Sequence, residues 1–138
     1  MPVLTSAAVA QGGREGQVSS SDGLIQLELG MPKDGGSPEG KSNPEQLFAA
    51  GYASCFDGAF NLIAKKEKKE VESKTTAHVS LEKDPEDDGF KISVKLVVDV
   101  TGVSQDEAEE LLEKAHQFCP YSKATRGNID VALEIKAG

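Results

Sequence analysis

The run from Asn43 to Ala64 constrains this chain more than any other. Asn43-Pro44-Glu45-Gln46 reads as a helix start: Asn43 can cap, Pro44 fits the first turn, and Gln46 stands where a capping box needs its second member. Behind it, Leu47, Phe48, Ala49, Ala50, Tyr52, Ala53, Cys55, Phe56, Ala59, Phe60, Leu62, Ile63 and Ala64 cover nearly the whole circumference of a 3.6-residue helix. A helix that is apolar all round must be buried on most sides, so the rest of the fold has to be built against it. Its tail, Lys65-Lys66-Glu67-Lys68-Lys69-Glu70, reads as a solvated end whose lysines suit the negative pole of the helix dipole.

On either side the patterns change period. Residues 1–30 carry the turn signals Gly12-Gly13 and Ser21-Asp22-Gly23, and Ile25, Leu27 and Leu29 alternate with Gln26 and Glu28, which predicts a small antiparallel sheet. Residues 30–42, rich in glycine and proline, predict a long surface connection. After the helix, Val71, Ser73, Thr75, Ala77, Val79 and Leu81 alternate along one strand. Phe90, Ile92, Val94, Leu96, Val98 and Val100 do so along the next, with Asp84–Gly89 as an acidic hairpin tip. Ser104-Gln105-Asp106-Glu107 is a second capping box, and Ala108, Leu111, Leu112, Ala115 and Phe118 or Cys119 continue at helical spacing. Pro120 ends that helix and opens a short one closed by Gly127; Ile129, Val131, Leu133 and Ile135 then alternate as a last strand. The predicted order is βββ-α-ββ-α-β, an α+β domain spanning residues 1–138.

Charge and cysteine content narrow the function. Fifteen Lys+Arg against 23 Asp+Glu give a net charge of −8 with no basic block, so nucleic acid is a poor partner. No basic n-region precedes an apolar signal core, and the longest mostly apolar stretch, Leu47 to Phe56, is ten residues, short of the ~20 that span a bilayer. A cytoplasmic protein with no membrane partner is expected. In that reducing compartment Cys55 and Cys119 are not a permanent staple, and any pairing between them points to transient chemistry.

Cys55 lies in the apolar helix, where burial alone would raise its pKa and suppress its reactivity. Cys119 differs: directly before a helix-opening proline it faces unpaired N–H groups, which favour a thiolate. For either to act as a nucleophile in the core, a cation must offset desolvation of the sulfur anion. The candidate is Arg14, set among the glycines of Gln11-Gly12-Gly13-Arg14-Glu15-Gly16, where the backbone can bend sharply around one charged side chain.

Three blocks together carry a family resemblance: Gly13-Arg14-Glu15-Gly16, the run Asn43 to Phe56, and Cys119-Pro120-Tyr121-Ser122. In this order and separation they resemble the organic hydroperoxide resistance (Ohr) branch of the OsmC/Ohr superfamily, over essentially the entire chain. Lys41-Ser42 departs from the Gly-Thr expected before Asn43, in a loop that carries no catalytic role. The resemblance implies an OsmC-like α+β fold, an intertwined homodimer whose central helices are covered by antiparallel sheets. It also implies a thiol-dependent peroxidase for organic hydroperoxides that answers oxidative stress. Cys55 would be the peroxidatic residue and Cys119 the resolving one, which requires their Cα atoms to come within about 7 Å. Arg14 would lower the Cys55 pKa and orient the peroxide, with Glu45 holding the guanidinium through a two-pronged ion pair. The family's usual electron donor is a lipoyl dithiol, either a lipoylated protein or dihydrolipoamide. No metal or other cofactor is implied.

Glu45 and Cys55 stand about 15 Å apart along one straight helix, so Arg14 cannot easily serve both within one chain. Two copies of the helix packed antiparallel would bring Glu45 of one chain toward Cys55 of the other and cover the all-round apolar surface. Phe48, Tyr52, Phe56, Phe60 and the 30–42 connection could form an apolar vestibule for alkyl or fatty-acid hydroperoxides; core packing explains any one of these aromatics equally well. Three other readings stand beside this one. The first is a small-ligand or stress-response binding protein with unreactive thiols. The second is the sister OsmC-type branch. The third is a metal site from Cys55, Cys119, His78 and His116, which lacks paired ligands at short spacing.

Overall fold

A computed structural model describes residues 1–33, 36 and 38–138, so part of the predicted connection over 30–42 lies outside the described residues. The chain forms two compact units, Met1–Leu47 and Phe48–Gly138.

The first unit is a three-stranded antiparallel meander, β1 (Ala8–Gln11), β2 (Gln17–Ser20) and β3 (Gln26–Glu28), with a single 3-10 turn, Gly13–Glu15, between β1 and β2. Glycine is required in that turn. Gly12 and Gly13 adopt φ of 83° and 65°, and a Cβ on Gly16 would fall 1.8 Å from the carbonyl oxygen of Gln11. Among the described residues of this unit, Leu29 is the buried hydrophobic side chain. Ser42 runs alongside the end of β3, its N–H donating to the Glu28 carbonyl and its carbonyl accepting from Gly30, which fixes where the next helix begins.

The second unit holds most of that helix, α1 (Pro44–Lys66), then β4 (Glu72–Lys83), β5 (Phe90–Thr101), α2 (Gln105–Phe118), α3 (Pro120–Thr125) and β6 (Val131–Ala137). The sheet order is β4-β5-β6. β4 and β5 pair antiparallel through the acidic hairpin, from Glu72 opposite Thr101 to Lys83 opposite Phe90. β6 pairs parallel to β5, so the sheet is mixed rather than antiparallel as predicted. The connection permits this: α2 and α3 intervene between β5 and β6, and parallel neighbours need a crossover of about a dozen residues or more, usually helical.

The core of this unit lies between α1, α2 and the inward face of β5. Tyr52, Phe56, Ala59, Phe60 and Ala64 of α1 meet Val94, Leu96, Val98 and Val100 of β5 and Ala108, Leu111, Leu112 and Ala115 of α2. By length and composition α1 is apolar enough to cross a membrane, although Asp57 and Asn61 interrupt its run. Asp57 is held by the sheet: its Oδ1 accepts from Ser73 Oγ at 2.8 Å and Thr75 Oγ1 at 2.9 Å, while Asn61 Nδ2 donates to Ser73 Oγ at 2.7 Å. Ala50, Ser54, Gly58 and Leu62, four residues apart along α1, are exposed in the single chain.

Both predicted helix starts form. Asn43 Oδ1 accepts from the Gln46 N–H at 2.7 Å, and the Gln46 side chain accepts from the Ser42 hydroxyl. Ser104 and Glu107 make the full reciprocal box at the start of α2. The charged tail of α1 does more than meet solvent: Glu67 pairs with Lys114, and Lys69 with Glu107 at 3.0 Å, tying the end of α1 to α2.

Candidate active site

Two residue pairs singled out by sequence are brought together, one in each unit. In the first unit, Arg14 Nη1 donates to Glu45 Oε1 at 2.7 Å. The contact is single-pronged rather than the two-pronged pair predicted. It arises because the Gly-rich turn aims Arg14 out of the meander while the Ser42 pairing places the first turn of α1 beside it. The Glu45 side chain is 13% exposed and that of Arg14 is 40% exposed, so the carboxylate is enclosed while the guanidinium keeps an open side.

In the second unit, Cys119 Sγ lies 3.5 Å from Cys55 Sγ, both as free thiols, across a sequence separation of 64. Cys119 is fully buried and Cys55 half-buried. Cys119 caps both α2 and α3: its N–H closes α2 onto the Ala115 carbonyl, and its own carbonyl accepts from Lys123. Pro120 forces this turn, since it offers no N–H to continue α2 and presets the φ of a new first turn.

Burial pushes the Cys55 thiol up from its ordinary value; the nearby backbone N–H of Tyr121 opposes this in part, and the adjacent Cys119 sulfur adds to the rise. Within the second unit, then, the balance favours a neutral Cys55. A cation brought to the sulfur would reverse it, since an opposite charge within about 4–6 Å favours the ionised form.

The segment carrying Cys119 is fastened to α1 one turn before Cys55. Tyr52 Oη lies 2.7 Å from Ser122 Oγ and 3.1 Å from Thr125 Oγ1. Tyr121 stacks across Gly51, where a Cβ would come within 2.8 Å of its hydroxyl oxygen, and its ring is tilted against Tyr52 at 5.6 Å between centroids. Sequence reasoning passed over Tyr52 as a polar partner; the signal available was its place three residues before Cys55, together with the Ser122 hydroxyl of the Cys119 motif.

An apolar groove of about 490 Å³ opens beside α3, lined by Phe48, Ile92, Pro120, Tyr121, Ala124 and Ile129 among others. Of the four aromatics predicted for a vestibule, Phe48 reaches this groove, while Tyr52, Phe56 and Phe60 are fully buried core. The core reading is therefore the correct one for those three.

The comparisons with known proteins agree with this architecture. Residues 35–134 match the family model of OsmC-like protein. The chain is 53% identical to the organic hydroperoxide resistance protein OhrA of Bacillus subtilis, over 97% of this chain and 96% of that one. The crystal structure of OhrB from the same organism superposes with a TM-score of 0.91 at 47% identity, covering 98% of this chain and 100% of that one. An organic hydroperoxide resistance protein OsmC from Legionella pneumophila gives a TM-score of 0.92 at 47% identity, covering 99% of each chain. With its two thiols poised and its whole length matched, the chain belongs to the OsmC/Ohr superfamily, in the branch implicated in organic hydroperoxide resistance.

Proposed function

We propose that this protein is a cysteine-based peroxidase that reduces alkyl or fatty-acid hydroperoxides to alcohols, within one functional domain of residues 1–138 acting in the cytoplasm. The observation that carries the reading is the 3.5 Å approach of the two free sulfurs, short enough for closure to a disulfide by a small movement. The Cys55 thiolate attacks the terminal peroxide oxygen; the O–O bond breaks, the alkoxide takes a proton and leaves as alcohol, and Cys55 becomes a sulfenic acid. The Cys119 sulfur then attacks Cys55; the S–S bond forms, the S–O bond breaks, and hydroxide leaves with the Cys119 proton as water. An external dithiol of the lipoyl type reduces the disulfide by two exchanges, becoming a disulfide itself.

The first step needs an ionised sulfur, and burial opposes it. We assign the counter-charge to Arg14, oriented by Glu45, delivered to Cys55 by a second copy of the chain in an intertwined homodimer. The exposed edge of α1 supports such a partner: Ala50, Ser54 and Gly58 are small enough for a second helix to approach closely, and Leu62 beyond them is a large apolar side chain left uncovered in the single chain. The apolar groove at Phe48 and Tyr121 supports an alkyl-bearing substrate over hydrogen peroxide.

The test compares consumption of cumene hydroperoxide and hydrogen peroxide, with dihydrolipoamide as donor, in wild type, Cys55→Ser, Cys119→Ser and Arg14→Ala. Cys55→Ser abolishes turnover. Cys119→Ser allows one oxidation and then stalls or over-oxidises. Arg14→Ala slows the first step and is rescued by raising the pH. Turnover without Cys55, or an active monomer in sedimentation, would overturn the reading.

A further inference from the structure

The reaction has two demands on geometry: Cys55 must meet a peroxide, and its sulfenic acid must then meet Cys119 before a second peroxide arrives. Nothing in the first demand involves Tyr52, which is 0% exposed and reaches no groove. Its hydroxyl instead points at α3, to Ser122 Oγ at 2.7 Å and Thr125 Oγ1 at 3.1 Å, and both of these side chains are also buried.

The three hydroxyls have three protons, and one arrangement uses all of them. Thr125 Oγ1 donates to the Tyr121 carbonyl at 3.0 Å, Tyr52 donates to Thr125, and Ser122 donates to Tyr52. The chain of bonds ends on Tyr121, two residues after the Cys119 whose sulfur lies 3.5 Å from Cys55 Sγ. The turn that carries Cys119 is therefore held by a hydroxyl relay rooted in the same helix as the sulfur that reacts, three residues before it. Gly51 completes the clamp by leaving room for the Tyr121 ring against α1. Ordinary core packing needs none of this, since a phenylalanine fills nearly the same volume as a tyrosine and leaves no buried hydroxyl to satisfy.

We propose that Tyr52, through Ser122 and Thr125, is a positioning residue that holds the Cys119 turn over Cys55, so that disulfide closure outruns over-oxidation of the sulfenic acid. The proposal rests on the peroxidase reading and concerns its second step only. In that step the Cys119 sulfur bonds to Cys55, the Cys55 S–O bond breaks, and the hydroxide leaves as water with the Cys119 proton. Tyr52 touches no reacting atom; it fixes the approach, and small misplacements of reacting groups are costly in rate.

The test is a single-turnover reaction with cumene hydroperoxide in wild type, Tyr52→Phe, Ser122→Ala and the double variant. Attack is followed by peroxide loss, and the disulfide and sulfinic products are separated by intact mass. Expected is an unchanged attack rate, closure slowed roughly tenfold in each single variant, a matching rise in sulfinic acid at high peroxide, and a double variant no worse than the worse single. Closure unchanged in folded Tyr52→Phe, or attack and closure falling together, would overturn the proposal. Thr125→Val breaks the relay at its other end and takes over the test if Tyr52→Phe does not fold. A glutathione redox titration separates this proposal from the peroxidase reading. If wild type fails to react with peroxide, that reading falls, while the clamp still requires Tyr52→Phe to weaken disulfide formation roughly tenfold, about 30 mV in potential. An unshifted potential would overturn the clamp as well.

Discussion

Replacing Gly51 by alanine sets two known effects against each other at one atom. Gly51 lies inside α1, where alanine is better than glycine by roughly 0.5–1 kcal/mol because it has less backbone freedom to lose. Against this, the new Cβ would stand 2.8 Å from the Tyr121 hydroxyl oxygen and 3.2 Å from two of its ring carbons, closer than such contacts tolerate. The backbone of α1 is fixed by its own ladder, so the ring must yield. Overpacking of this kind costs about 1–3 kcal/mol. Tyr121 is 39% exposed, so it can swing outward and the lower figure applies, near 1 kcal/mol. The ring would also loosen its contacts with Phe48 and Tyr52, at 6.1 and 5.6 Å between centroids. The two effects nearly cancel in stability, so the melting temperature should move by less than about 5 °C. They do not cancel at the thiol pair. Moving Tyr121 disturbs the turn that carries Cys119, whose sulfur lies 3.5 Å from that of Cys55, so the effective molarity of the two thiols, read by equilibration with glutathione buffers, should fall roughly tenfold. A Gly51→Ala protein stabilised by the full helix-propensity gain, with its thiol equilibrium unmoved, would refute the reasoning.

Three further outcomes follow from the second unit. Ser104→Ala removes the cap of α2 and should lower stability by about 1 kcal/mol, read from urea unfolding. The Ser104 N–H, with help from the Ser104 hydroxyl and Lys69, pulls Glu107 down from its ordinary 4.5 to about 2; its contribution is complete above pH 4.5 and is lost as pH falls through the folded value, so Glu107→Gln should flatten the acid limb of the unfolding curve, and an unchanged limb would count against the assignment. Asp57→Ala strands the Ser73 and Thr75 hydroxyls and should cost about 2 kcal/mol, with a coupling near 1 kcal/mol in a double-mutant cycle with Thr75→Val; additive losses would show that the carboxylate does not hold the sheet.

The fold was legible where a local rule decides it. Hydrophobic period placed β3, β4, β5, α2 and β6, turn signals announced a small sheet over residues 1–30 without bounding β1 or β2, capping chemistry marked Asn43 and Ser104, and Pro120 showed where α2 had to stop and α3 begin. The direction of β6 was not legible, because alternation along Val131–Ala137 says which face is buried and nothing about which way its neighbour runs. Tyr52, Phe56 and Phe60 could equally have lined a vestibule, since periodicity on an all-round apolar helix does not say which face meets core and which meets substrate. Asp57 and Asn61 were missed for a related reason. They sit at helical spacing amid apolar residues, and their partners Ser73 and Thr75 become visible only once β4 is laid against α1. The thiol pair was found through a motif, and the tyrosine clamp beneath it was not, because a buried hydroxyl declares its purpose only through the atoms it meets.

The parallel pairing of β6 also sets an order of events during synthesis. The β4–β5 hairpin closes locally, but the slot beside Val94–Val100 stays empty until both helices have emerged and the final strand leaves the ribosome. Throughout that interval the nascent chain presents an unpaired, valine-rich sheet border, the kind of template on which neighbouring polypeptides assemble. A shortened chain lacking 131–137 would keep that border open indefinitely, and its fate would be aggregation rather than a merely weakened fold.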